Sequence, residues 1–283
     1  MRLLRVGPPD RERPCVLRPD GIIIDVSDTV RDYDGAFFSD GLIEQLRGVD
    51  DGVAVSREAR VGAPIVRPSK VVCIGLNYAD HATESGSDMP AEPVVFFKAP
   101  NTVVGPNDDV LLPVGGDKTD WEIELGVVIG SEARYLPNAD AAAKVIAGYT
   151  ISNDVSERAF QLERGGQWVK GKSCETFNPL GPWLVTPDEI ADPQSLDLWL
   201  TVNGESVQNS TTANMIFGVD YLVWYLSQFM VLEPGDLINT GTPAGVGLGL
   251  HPPRYLRPGD VMELGITRLG RQRQQCRRAV VTA

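Results

Sequence analysis

Histidine is almost missing from this chain. Its 283 residues contain two, His81 and His251, so any imidazole chemistry has to use one of them. Cysteine is sparse as well: Cys15, Cys73, Cys174 and Cys276 stand far apart with no C-x-x-C pair. That spacing argues against a zinc site and a disulfide framework, and favours a reducing cytoplasm. Basic residues are outnumbered, 26 Lys and Arg against 38 Asp and Glu, and the net charge of −12 disfavours a nucleic-acid surface. The basic run from Arg271 to Arg278 is too local to reverse this and reads as a solvated strand edge or tail. No apolar run exceeds strand length, so no membrane span is expected, and Met1 to Pro8 lacks the hydrophobic stretch of a signal peptide. Acidity does not exclude an anionic substrate, because a metal ion and a few cations dominate a site locally.

What remains is an ordinary globular composition, 42% hydrophobic and 23% charged, on a chain long enough to bury a sizeable core. Residues 1–65 read as a small β-rich N-terminal domain, and residues 66–283 as the main domain, entered through the Gly- and Pro-containing stretch 62–68. In the first part, 2–6 and 16–26 carry strand signals around an Asp20-Gly21 turn, and 40–47 is a short helix candidate with Asp40 as its N-cap. In the second, strands follow quickly: 71–75, 94–98, 103–105, 122–130, 145–153, 183–186, 196–202, 236–240 and 261–266. Helices are expected over 139–143, 155–163 and 214–230. The pattern predicts a β-dominated α+β fold with short helices in its loops, not an alternating βαβ array.

The most informative segment is Trp121-Glu122-Ile123-Glu124-Leu125-Gly126-Val127-Val128-Ile129. It reads as an internal strand, in which Glu122 and Glu124 point to one face. Two like charges in such a place are costly unless a cation or firm hydrogen bonds compensate them; a strand end whose acids reach water is the plainer alternative. Asp154 ends the apolar run 147–153. Alone it suits a helix N-cap; beside the two glutamates it completes a set of three carboxylates suited to a hard divalent ion, Mg²⁺ or Mn²⁺.

Arg158 and Gln161, three apart on the following helix, could clamp a carboxylate or keto group, or form an exposed polar face. In the loop from Gly165 to Ser173, Lys172 could meet a developing oxyanion, while Lys170 reads as a surface lysine. His81 and Glu84 would adjoin on one helical turn, where a carboxylate-oriented imidazole can take a proton from water; a surface pair would have the same spacing. Asn239 to Gly247 is a Gly-rich turn without the lysine of a P-loop, and Thr242 with nearby amides could hold a small carboxylate.

Together these segments resemble the fumarylacetoacetate hydrolase family. The matching pieces are Asn77 to Glu84, Glu122 to Gly130, Asn153 to Arg158, Lys172-Ser173 and Thr240 to Gly247, in the family's order. The resemblance implies Glu122, Glu124 and Asp154 as Mg²⁺ or Mn²⁺ ligands, His81 and Glu84 as a water-activating dyad on a mobile lid, and Lys172 as an electrostatic helper. It implies a mixed β-roll with a small N-terminal domain, a homodimer, and a small 2-keto acid as substrate, for which Arg158, Gln161 and Thr242, read above from the residues, are the binding candidates. The stretches 160–168 and 170–177 look most like bacterial 2,4-diketo-3-deoxy-L-fuconate and L-rhamnonate hydrolases. The reaction implied is hydrolysis of a C–C bond to pyruvate and lactate, with an oxaloacetate-type decarboxylase or tautomerase, or a non-catalytic acid-binding protein, as alternatives.

Overall fold

The computed structural model describes residues 1–49, 52–84 and 89–281, and the side chains of 81–83 fall outside that description. The chain opens with an antiparallel meander of β1 (Arg2–Val6), β2 (Arg13–Leu17), β3 (Ile23–Asp25) and β4 (Val53–Val55). The turn between β2 and β3 is the expected one, with the Asp20 carboxylate accepting the Ile22 N–H at 3.0 Å. The helix after β3 comes earlier than expected. It is α1 (Gly35–Ser39), capped by Asp34 through the Phe37 N–H, and Asp40 closes its C-terminal end instead of opening a helix. Burial of Phe37 and Phe38 places the helical turn there, and a 3₁₀ turn over Leu42–Leu46 follows.

Next come β5 (Val71–Gly75), α2 (Ala79–Glu84), β6 (Val94–Lys98), β7 (Val103–Val104), β8 (Val110–Leu112), β9 (Thr119–Asp120) and β10 (Ile123–Ile129). Then follow β11 (Ile146–Asn153), β12 (Ser156–Glu157), α3 (Arg158–Leu162), α4 (Val169–Lys172) and β13 (Asn178–Val185). The remainder is β14 (Asp197–Val202), β15 (Glu205–Thr211), α5 (Val219–Ser227), β16 (Leu237–Asn239), β17 (Val261–Ile266) and β18 (Gly270–Arg278). The expected helix 155–163 is shorter at its start because β12 takes two residues to pair with β9. The expected helix 214–230 shrinks to α5, since Thr212–Asn214 forms a 3₁₀ turn, and 139–145 is 3₁₀ as well.

An eleven-stranded mixed sheet runs β4-β3-β2-β1-β13-β11-β10-β16-β5-β6, with β7 alongside β13. A five-stranded sheet, β15-β14-β17-β18-β8, packs against it. The result is the β-dominated α+β fold expected. β18 corrects the reading of its basic run as an edge or tail: it lies between β17 and β8, with Gln272, Gln274 and Cys276 buried and the arginines facing out. Every residue of β10 is buried between β11 and β16. Ile123, Leu125, Val127 and Ile129 enter the main core, whereas Val128 enters a second core on the opposite face. Period-two alternation puts Glu122 and Glu124 on the Val128 side. Among the described residues, no helix is long and apolar enough to cross a membrane.

Candidate active site

The register between β10 and β11 pairs Ile123 with Asn153, and the Asp154 N–H donates to the Glu122 carbonyl at 2.9 Å. Asp154 is thereby carried beside the two glutamates. One oxygen from each of Glu122, Glu124 and Asp154 lies within 4.8 Å of the others, and all three residues are buried. Asp154 is no N-cap; that position belongs to Glu157, whose carboxylate accepts the Ala159 N–H at the start of α3.

Three buried cations surround the acids. Lys172, at the end of α4, places Nζ 2.6 Å from Glu122 Oε2 and 2.8 Å from Asp154 Oδ2. Burial works against its charge, but Asp154 and Glu122 more than offset this and hold the ammonium firmly protonated. Arg158 directs Nη2 to within 2.8 Å of Asp120 Oδ2 and 2.6 Å of Glu122 Oε1, while Nη1 donates to Gln161 Oε1 at 3.0 Å. The expected polar pair is therefore present and buried, and its guanidinium braces the protein's own acids. Lys98 and Asp120 were not anticipated. Lys98 ends the apolar strand β6, pairs with Asp154 and donates to the Val155 carbonyl at 3.0 Å. Removing one partner of such a buried pair costs about 3–5 kcal/mol, because a charge is left uncompensated.

Four acids, Asp120, Glu122, Glu124 and Asp154, thus face three cations, Lys98, Arg158 and Lys172. Glu124 is the one whose charge is left over. Among the described residues no cation pairs with it, and it accepts one N–H, from Gly241 at 2.7 Å. Burial, then the neighbouring Asp154 and Glu122, push its pKa well above the usual carboxylate range. An all-oxygen donor set carrying surplus negative charge in a dry place suits a hard divalent cation, which needs no thiol or imidazole.

The Gly-rich turn after β16 serves these acids directly. Gly241 has φ +100°, and a Cβ there would come within 2.7 Å of Asn77 Cβ, so only glycine lets the amide meet Glu124. Gly247 and Leu248 donate their N–H groups to Asp120 at 2.6 and 3.0 Å, and Gly245 donates to both oxygens of Glu84 at 3.0 Å. The Thr242 hydroxyl donates to the Ile123 carbonyl and accepts from Gln208, each at 2.9 Å. Glu84 closes α2, as the expected helical turn requires. His81 lies on the same helix, but its side chain is outside the described residues. A cavity of about 220 Å³ opens above the acids, with Glu122, Glu124, Arg158, Gln161, Lys172 and Thr242 in its lining.

Fold and site together define an enzyme family: the chain belongs to the fumarylacetoacetate (FAA) hydrolases, whose C-terminal family model matches residues 70–277. A protein of Burkholderia multivorans, provisionally named a hydrolase, is 52% identical over 282 residues, covering 99% of this chain and 100% of its own length. Among solved structures, a 5-carboxymethyl-2-hydroxymuconate delta-isomerase from Mycobacterium smegmatis superposes with a TM-score of 0.77 at 33% identity, covering 99% of this chain and 100% of that one. A maleylpyruvate hydrolase from Sphingobium sp. SYK-6, in complex with manganese(II) and pyruvate, gives a TM-score of 0.80 at 26% identity with the same coverage.

Proposed function

We propose that this protein hydrolyses the C3–C4 bond of a 2,4-diketo acid of the acylpyruvate type. The particular substrate suggested by the resemblance in residues 160–177 is 2,4-diketo-3-deoxy-L-fuconate or L-rhamnonate, cleaved to pyruvate and lactate. The observation that carries the proposal is the buried triad Glu122, Glu124 and Asp154, of which Glu122 and Glu124 line the cavity, with one more acid than cation among the described side chains of the site. These residues would hold Mg²⁺ or Mn²⁺, which supplies Lewis-acid stabilisation to the keto-acid end of the substrate. The Sphingobium relative, which holds manganese and pyruvate, supports both the ion and the keto-acid half.

The chain's own residues then divide the work. His81, oriented by Glu84, takes a proton from water, and the water oxygen bonds to C4. The negative charge on the C4 oxygen falls near Lys172, which its acidic neighbours keep protonated. The C3–C4 bond breaks, its electron pair moves to C3, and a proton there completes pyruvate while the acyl half leaves as a carboxylate. Arg158, Gln161 and Thr242 face the same cavity and orient the acid end.

The isomerase relative favours a second reading, tautomerisation at the same acids without an attacking water, and oxaloacetate decarboxylation is the related alternative that such a site would also allow. A product assay separates the two. Incubation with a panel of 2,4-diketo acids and oxaloacetate should give pyruvate and the matching carboxylic acid in equal amounts. Release of CO₂ from oxaloacetate with no acid product from the diketo acids would replace the hydrolase reading with the second.

A further inference from the structure

The cavity has two chemically different walls. One is the charged floor described above. The other is built from Ile74, Leu76, Phe96, Leu162, Trp168 and Leu248. This second wall is held in place against local preference. Leu76 sits at φ +54°, the left-handed region that a bulky aliphatic residue avoids, and lines the cavity there. Beside it, Gly75 lets the indole close in, because a Cβ there would come within 2.6 Å of the Trp168 ring. Trp168 meets Phe96 edge-on at 5.3 Å between ring centres, and Phe96 in turn lies 5.0 Å from Lys172 Nζ, where the two walls join.

The described lining holds two cations, Arg158 and Lys172, and both lie on the charged floor, held there by Asp120, Glu122 and Asp154, where they serve the keto-acid end and the oxyanion. The nearby loop cations are engaged elsewhere: Lys170 Nζ donates to the Arg164 carbonyl at 2.6 Å, and the Arg164 guanidinium lies 4.3 Å over the Phe160 ring. A second carboxylate at the far end of a substrate would be desolvated against aromatic and aliphatic carbon, with no cation among the described residues of that wall to receive it.

We infer that Leu76, Leu162, Trp168 and Leu248 form an acyl-end subsite selecting uncharged, alkyl-terminated acylpyruvates and rejecting dicarboxylic ones. This rests on the acylpyruvate reading and adds a restriction on the half of the substrate that leaves as the second acid. A methyl-terminated lactoyl group, as in the 6-deoxy sugar-acid series, meets that restriction.

The test uses two seven-carbon acids matched in length, 2,4-dioxoheptanoate and 2,4-dioxoheptanedioate, with the Mn²⁺-loaded protein. The uncharged acid should show a kcat/KM higher by about 100-fold or more, the scale on which a desolvated, unpartnered group is discriminated against. Leu162 is exposed at the rim, so Leu162→Arg spares the core; it should shrink the ratio by about tenfold by giving the second carboxylate a partner. Equal efficiencies, or a preference for the dicarboxylate in the unaltered protein, would overturn the inference. Calorimetric titration of both acids into Mn²⁺-loaded His81→Ala protein reads the same preference as binding. Tighter binding of the uncharged acid supports the subsite even if neither acid is cleaved by the unaltered enzyme, an outcome that would count against C–C hydrolysis alone.

Discussion

Glu124→Gln abolishes the protein's response to divalent cations and lowers pyruvate release by about 10²–10³-fold. The substitution keeps an oxygen for the Gly241 N–H and removes the charge that, of the four acids of the site, has no cation partner among the described residues. In the unaltered protein, Mn²⁺ at a hundredfold excess over its Kd adds about 2.7 kcal/mol to stability by mass action. A thermal melt of the variant should show no such gain. Without metal, the order of stabilities reverses. Burial and the neighbouring acids raise the Glu124 pKa in the folded state, so that state binds more protons than the unfolded chain and stability falls as pH rises from the ordinary carboxylate value through the raised one. Glutamine does not titrate and escapes this loss. A variant whose melting temperature climbs with Mn²⁺ as the parent's does would remove Glu124 from the ion's ligands.

His81→Ala separates metal binding from proton transfer. Turnover should fall by about 10²–10⁴-fold, the range for loss of a general base, while Mn²⁺ affinity stays at the parent value. Glu84→Gln should act in the same direction through the imidazole it is proposed to orient. The other histidine supplies the control. His251 is exposed in the loop before Pro252 and lines a different cavity from the one that holds Glu122 and Glu124, and His251→Ala should leave kcat/KM unchanged. Retained activity in His81→Ala would assign the water-activating role elsewhere.

The centre of this site was legible in the sequence because it rests on one short-range rule. In a strand, i and i+2 share a face, and an apolar run this dense favours the inside of a sheet over an edge, so the pattern pointed to Glu122 and Glu124 meeting in a buried place, with a solvated strand end as the alternative. Their third partner, Asp154, follows from an antiparallel pairing between neighbouring segments. Lys98 was not legible. It meets Asp154 from 56 residues away, and a lysine closing an apolar strand has the same local pattern as one that faces water. Asp120 was missed for a related reason, since its partners are the amides of Gly247 and Leu248 and the Arg158 side chain, which the chain path alone brings to it. Arg158 shows the converse. Its helical spacing to Gln161 was readable, but its engagement by Asp120 and Glu122 was not. In the fold, β13 starts at Asn178, five residues before the apolar signal at 183, because Pro179, Gly181 and Pro182 mask a strand stabilised by pairing with β1 and β11. α5 is shorter than its apolar pattern, since residues 212–214 already bend into a 3₁₀ turn.

The most direct test of the account is pyruvate release from 2,4-dioxoheptanoate by protein stripped with a chelator and then titrated with Mn²⁺. The account predicts negligible release from the stripped protein, recovery that saturates at one ion per chain, and no recovery in Glu124→Gln. Full pyruvate release from protein shown to hold no divalent ion would contradict it.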